Sequence, residues 1–299
     1  MGQSMDGAEH ARAEHAGRDM TGRHGQREPR STLLVGAGKV GTRLGRRLVE
    51  RGGRVFALRR DPSALPSTFT PIAADLTAPI ELRLPKVDAM VITLTPGAPA
   101  PVLEESAYLA ALRHLAAALP VVPPRVTFVS STGVFEGRPA GEERSEDDLP
   151  QPETERGKLL LAGELTAADL FAANVVRPAG IYGPGREFLI RKVLNGEPIA
   201  MRKGTNRIHE SDLVTLLEML IAEDGPRPGL VHAVDRAPAP MGDVVACIAD
   251  LLGVALPPAL EPDPGGGAIL RGRIEEFTGP LQFPSYVEGY TEIIAKRAG

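Results

Sequence analysis

Along the chain, short apolar runs alternate with stretches in which apolar residues recur every three or four positions. The first run, Thr32-Leu33-Leu34-Val35, ends in the turn Gly36-Ala37-Gly38-Lys39-Val40-Gly41. Val40, Leu44, Leu48 and Val49 then share one face of a predicted helix that closes at Gly52-Gly53. Val55-Phe56-Ala57-Leu58 predicts a second strand, so strand, glycine turn, helix and strand form one βαβ unit. Ala89 to Leu94 reads as a buried strand, Tyr108 to Leu119 as an Ala/Leu helix and Val126 to Val129 as another strand. Lys158 to Phe171 predicts a helix, and Val175-Val176 a further strand. This alternation predicts an α/β fold built on a doubly wound, mostly parallel sheet of Rossmann type.

Beyond about residue 180 the pattern is more helical and less regular. Leu213 to Ala222 and Met241 to Leu252 predict helices flanking a strand at Leu230 to Val234, and the Pro/Gly run from Pro257 to Gly267 predicts a loop. Three regions follow. Residues 1–30 are polar and aperiodic, which predicts a disordered tail or a start-site extension. The glycine turn inside a βαβ unit makes residues 31–180 the expected dinucleotide-binding domain, and residues 181–299 an expected mainly substrate-binding region that partly packs back on the core.

Composition narrows the function classes. With 299 residues, 42% hydrophobic and 24% charged, the chain can build a sizeable core, and its net charge of −4 gives no basic footprint for nucleic acid or an anionic membrane. Cys247 is the only cysteine and lies in the apolar run Val244 to Ile248, which excludes an intrachain disulfide and predicts inert packing. The histidines show no metal-ligand spacing. No apolar run approaches the ~20 residues of a membrane span. The first thirty residues carry five acids against five arginines and no apolar leader, so a reduced cytoplasmic setting is the expectation.

The glycine turn has the spacing GxGxxG between a predicted strand and a predicted helix, the context that makes it a dinucleotide signal. Gly36 permits the tight turn, Gly38 lets the backbone approach a diphosphate, and Gly41 allows helix and strand to pack closely. Lys39 and Val40 complete the loop beside the helix N-terminus, where exposed amides favour an anion. An NAD site usually places an acid at the end of the second strand, about 20 residues on. Here the strand ends Leu58-Arg59-Arg60-Asp61-Pro62, and arginine suits the 2′-phosphate of NADP. NADP is therefore expected over NAD. In the blander alternative Arg59 and Arg60 are solvated and Asp61 starts a turn.

Further motifs stand downstream: Ser130-Ser131-Thr132-Gly133-Val134-Phe135, Thr154-Glu155-Arg156-Gly157-Lys158, and Arg177-Pro178-Ala179-Gly180-Ile181-Tyr182-Gly183-Pro184-Gly185. With Asp75-Leu76 after the third strand, Arg207-Ile208-His209-Glu210-Ser211-Asp212-Leu213 and Phe283 to Tyr290, they resemble the epimerase/dehydratase branch of the extended short-chain dehydrogenase/reductase superfamily. The resemblance runs from about Thr32 to the C-terminus. It implies that Asp75 and Leu76 border the adenine of the cofactor. It also implies a Ser, Tyr and Lys acting together: the Tyr exchanges the substrate proton, the Lys lowers its pKa and binds nicotinamide ribose, and the Ser orients the carbonyl oxygen. Ser131 matches the serine and Lys158 the lysine, but Thr154 stands at the tyrosine position.

An aliphatic hydroxyl cannot ionise near neutral pH as a tuned phenol can, and losing a general acid costs roughly 10²–10⁴ in rate. Tyr182, Glu153 and Glu155 are the nearest replacements in sequence. Arg177 and Arg207 are candidate substrate contacts, while His209 reads as a structural histidine. Two functions stay open. The first is an NADP-dependent oxidoreductase or epimerase/dehydratase acting by hydride transfer on a small polar or sugar-like carbonyl or alcohol. The second is a nucleotide-binding sensor or scaffold without turnover. Members of the branch often pair through helices flanking the sheet, so a homodimer is a further expectation.

Overall fold

The computed structural model describes residues 29–97, 100–137, 141–263 and 265–298. The expected tail therefore lies outside the described residues, except for its last two. Those two already belong to the fold: Pro29 is buried, and the Arg54 amide donates to the Arg30 carbonyl at 2.9 Å.

The chain enters through β1 (Ser31–Val35), α1 (Lys39–Glu50), β2 (Arg54–Arg59), β3 (Thr70–Ala73) and β4 (Ala89–Ile92). It continues through α2 (Ala107–Ala118), β5 (Arg125–Val129), the two-residue β6 (Glu143–Arg144), α3 (Glu155–Phe171), β7 (Asn174–Pro178) and β8 (Gly180–Tyr182). The second half runs α4 (Phe188–Leu194), β9 (Gly204–Thr205), β10 (Arg207–His209), α5 (Glu210–Ile221), β11 (Leu230–Ala233), β12 (Ala239–Pro240) and α6 (Met241–Leu252). It ends with β13 (Ile269–Leu270), α7 (Ile274–Thr278) and α8 (Tyr286–Ala298). None of the helices among the described residues is long and apolar enough to cross a membrane.

Seven strands form the central sheet in the order β11-β7-β5-β4-β1-β2-β3, every neighbouring pair parallel. The order reverses between β1 and β4, the switch point at which open α/β sheets bind ligands. Central strands are buried on both faces, as parallel sheets require. In β1, Leu33 and Val35 join the core under α2 and α3, while Leu34 joins the core under α1 and α5, following the period of two in a strand. α5 and β11 come from beyond residue 180, so the second half supplies part of the dinucleotide-domain core. A separate cluster from α4, α6 and α8 gathers Ile190, Val244, Ile248 and Tyr290.

The structure moves several predicted boundaries. The strand expected to reach Leu94 stops at Ile92, which frees Thr93 and Leu94 to leave the sheet. The helix expected from Lys158 starts at Glu155 because Thr154 caps it, accepting from the Gly157 amide at 3.0 Å. The expected tight helix–strand contact is at Gly45 rather than Gly41. A Cβ at Gly45 would run into the Phe69 ring and come within 2.9 Å of Leu34 Cδ1, whereas at Gly41 its nearest neighbours lie at 3.7–3.8 Å. Gly45→Ala should therefore cost about 1–3 kcal/mol by overpacking. Gly41→Ala, in an open position of the same helix, should be neutral or gain up to about 1 kcal/mol. Urea denaturation of the two variants checks the contrast.

Candidate functional site

At the switch point the chain segments leaving β1, β4 and β5 diverge and leave a cleft. Gly36 makes the first turn: its φ is +80°, its amide donates to the Leu58 carbonyl at 3.0 Å, and a Cβ there would lie 3.1 Å from the Thr93 carbonyl oxygen. The Thr93 hydroxyl donates back to the Gly36 carbonyl. Gly38 then starts α1 in an extended conformation, and no side chain caps the helix. The first amides of α1 are left for a ligand, at the positive end of the helix dipole. A Cβ on Gly38 would meet protein only at 3.9 Å, so that face of the turn is open. These features fit the diphosphate of a dinucleotide.

The cleft has two lobes that share Gly38 and Lys39. The smaller, ≈ 250 Å³, passes the glycine turn, Thr93 to Pro96, Ser130, Ser131 and Arg156. The larger, ≈ 720 Å³, runs along α1 beside Lys39, Arg43, Arg46, Arg47 and Arg59. Two buried acids from α5 offset this charge. Glu210 pairs with Arg43 and Arg186, each at 3.2 Å, and Glu218 with Arg47 at 2.7 Å.

Of the cofactor residues expected from the sequence, Gly36, Gly38, Lys39, Val40 and Gly41 line the cleft. Arg59 lines its larger lobe and donates to the Ala37 carbonyl at 3.4 Å. Arg60 lines neither lobe and is exposed. Asp61 accepts from the Ser63 amide at 2.9 Å, a turn contact that holds its carboxyl below its ordinary pKa. Asp75 makes the same kind of turn with Thr77, and Leu76 is buried with its carbonyl 2.9 Å from His114 Nδ1, so neither lines the cleft.

Of the serine, threonine and lysine, Ser131 lines the cleft while Thr154 and Lys158 line neither lobe. Ser131 lines the smaller lobe, its hydroxyl accepting from the Gly133 amide at 3.0 Å. Thr154 is spent on the α3 cap and donates to Glu136 at 3.4 Å. Lys158 points to the surface, paired with Glu155 at 2.6 Å. Tyr182 lies in the C-terminal cluster: it stacks on Tyr290 at 4.9 Å and donates to the Ser285 carbonyl at 3.1 Å. Burial and the nearby Asp235 push its phenol well above the ordinary tyrosine range, so it is a poor proton donor to the cleft. Glu153 likewise does not line either lobe.

Arg177 stands behind the cleft wall. Its guanidinium binds Glu164 through Nη2 at 2.7 Å and Nε at 3.0 Å, and Glu164 in turn accepts from the Ser130 hydroxyl at 2.6 Å. It braces the wall rather than reaching a ligand. Arg207 is buried over the Tyr286 ring and donates to the Thr205 hydroxyl. Its Nη1 and the nearby Asp235 Oδ2 have no hydrogen-bond partner among the described residues. His209 caps α5, its Nδ1 accepting from the Ser211 amide at 3.2 Å. The sequence reading did not single out Arg156, Arg186 or the arginines of α1. The spacing Lys39, Arg43, Arg47 was the available signal, because residues four apart share a helix face.

No protein-family model and no curated protein matches the chain. Among solved structures, one assigned as an NAD-dependent epimerase/dehydratase from Methylobacillus flagellatus is 32% identical, with 90% of this chain and 99% of that one covered at a TM-score of 0.75. A conserved protein of unknown function from Silicibacter pomeroyi is 24% identical over 90% of this chain and 99% of its own, with a TM-score of 0.70. A UDP-glucuronic acid 4-epimerase from Bacillus cereus, solved with UDP-glucuronic acid and NAD, shares the fold at 17% identity and a TM-score of 0.70, with 89% of this chain and 99% of that one covered.

Two outcomes test the roles assigned here. Thr154→Ala should lose about 1 kcal/mol of stability, the cost of a missing N-cap, while Thr154→Ser loses little. Burial pushes the His209 ring down to about 4. Above pH 6.5 the ring is neutral in both states and does not bias folding; as pH falls toward 4 the unfolded chain takes up the proton that the fold resists, so stability falls. The stability of the wild type relative to His209→Asn should therefore fall by about 3 kcal/mol across that window, measured by urea denaturation at each pH.

Proposed function

The chain belongs to the epimerase/dehydratase branch of the extended short-chain dehydrogenase/reductase superfamily, and we propose that it is an NADP-dependent enzyme of that branch. It acts by hydride transfer on a small polar or sugar-like carbonyl or alcohol. One observation carries this reading: the uncapped α1 N-terminus and the left-handed Gly36 turn open into the same cleft as Ser130 and Ser131. Bound in this cleft, the nicotinamide ring of the cofactor would take a hydride from an alcohol carbon or give one to a carbonyl carbon.

The chain's own residues divide the remaining work. The glycine turn and the first amides of α1 hold the diphosphate. Arg59, with Lys39 and Arg43 beside it, suits a 2′-phosphate, and no free acid stands at the end of β2 because Asp61 is committed to its turn. Ser131 offers the hydroxyl that orients a substrate oxygen, and Ser130 is fixed behind it by Glu164. The second reading, a nucleotide-binding sensor without turnover, draws on the capping role of Thr154 and the surface pairing of Lys158. Ser131, retained and lining the smaller lobe, favours the enzyme.

Titration with reduced cofactors tests the nucleotide choice. NADPH should bind more tightly than NADH, and Arg59→Ala should weaken NADPH at least about tenfold while leaving NADH nearly unchanged, the loss of one charge-assisted contact. Equal affinity for the two cofactors in the wild type would overturn the NADP assignment. In a substrate screen followed by nicotinamide absorbance, Ser131→Ala should lower kcat/KM by roughly 10²-fold or more, whereas a sensor has no turnover to lose.

A further inference from the structure

Arg156 has no role in the reading above, yet it sits at the reacting end of the cleft. Three cationic side chains line the smaller lobe, Lys39, Arg156 and Arg186, and no Asp or Glu lines it among the described residues. Two of the three are already engaged. Lys39 Nζ donates to the Gly185 carbonyl at 2.6 Å, and Arg186 Nε binds the buried Glu210 at 3.2 Å. Among the described residues Arg156 meets only a long contact, 3.9 Å from its Nε to the half-exposed Glu136. Of the three cations it alone makes no hydrogen bond among the described residues.

Its position also works against helix stability. Arg156 is the second residue of α3, where the helix dipole disfavours a cation. The neighbouring Gly157 lets this turn come close to the segment carrying Ser131, since a Cβ there would lie 2.8 Å from Pro152 Cβ and 3.1 Å from the Gly133 carbonyl oxygen. Tight packing thus presents the guanidinium on the wall shared with Ser130, Ser131 and Leu160, opposite the glycine turn. A guanidinium among small hydroxyls and apolar walls suits a planar, two-oxygen anion, which it binds through parallel N–H donors.

We propose that Arg156 is the substrate-carboxylate residue of this protein, and that the substrate is a hydroxy or oxo compound bearing a carboxylate near the reacting carbon. This rests on the nicotinamide reading of the cleft. Pairing with Arg156 fixes the substrate so that its carbon–oxygen bond lies beside Ser131.

The test uses the full chain saturated with NADPH and two inert probes of similar shape, the anion oxamate and the neutral oxamide, followed by calorimetry. Cofactor affinity is measured first, in every variant. Oxamate should bind saturably and oxamide at least about tenfold more weakly. Arg156→Gln should weaken oxamate by a similar factor and leave NADPH affinity unchanged, and Arg156→Lys should fall between because it keeps charge without the paired donors. Equal binding of the two probes, no oxamate binding by the NADPH complex, or an Arg156→Gln variant that binds oxamate normally would each overturn the proposal. Tighter binding of inorganic phosphate than of oxamate would also overturn it, assigning the lobe to a tetrahedral anion. Failure of the wild type to bind NADPH would instead remove the nicotinamide reading, and the proposal with it.

Discussion

Glu164 and Arg177 face each other at 2.7 Å with both side chains almost wholly out of solvent, and such a pair is tolerable only when its remaining polar atoms are satisfied. The surrounding chain supplies the partners. Ser130 donates to Glu164, and His232 Nε2 lies 3.4 Å from Arg177 Nη1. His232 Nδ1 lies 2.9 Å from the Arg271 carbonyl, so its proton belongs there and Nε2 is the acceptor. Burial lowers the His232 pKa, the direction that a neutral ring accepting at Nε2 requires. The His232 amide donates in turn to Glu146 at 2.9 Å, which also receives the Arg273 amide. One connected network therefore runs from the cleft wall, through α3, β7 and β11, to the strands that close the opposite side. The position of Ser130 and Ser131 depends on it.

This network explains why motif residues that look catalytic in sequence are divided between structure and site. Arg177 and Glu164 hold the wall, and Ser130 and Ser131 present it to the cleft. The C-terminal region does similar work from below: α5 brings Glu210 and Glu218 against the arginines of α1, which could not otherwise share one helix face without repulsion.

The strongly periodic elements were legible from the residues alone. β1, α1 and β2 announce themselves because both faces of the strands and one face of the helix are apolar, and the glycine turn between them lies where it was expected. β3 showed no pattern of its own and was placed only through the family resemblance, since Thr70-Pro71-Ile72-Ala73 is an edge strand, mostly exposed and carrying a proline. α4, α7 and the short outer strands are too brief to show a period. The site was read less well than the fold for a geometric reason. Thr154 starts α3, and each further residue turns the helix by about 100°, so Arg156 and Lys158 lie about 200° apart around the axis. When one faces the cleft the other faces water. The motif spacing carries no sign of which, because that depends on how Gly157 seats the helix against Pro152 and Gly133.

The arginine lobe along α1 has a kinetic meaning for a chain whose net charge is −4. The lobe sets Lys39, Arg43, Arg46, Arg47 and Arg59 against Glu50 and Glu210, a local excess of cations that attracts anions to this one face. Diffusing anions are thus guided to the mouth of the cleft before any specific contact forms. Since mobile ions screen such a field over about 8 Å at physiological ionic strength, salt slows arrival far more than it hastens departure.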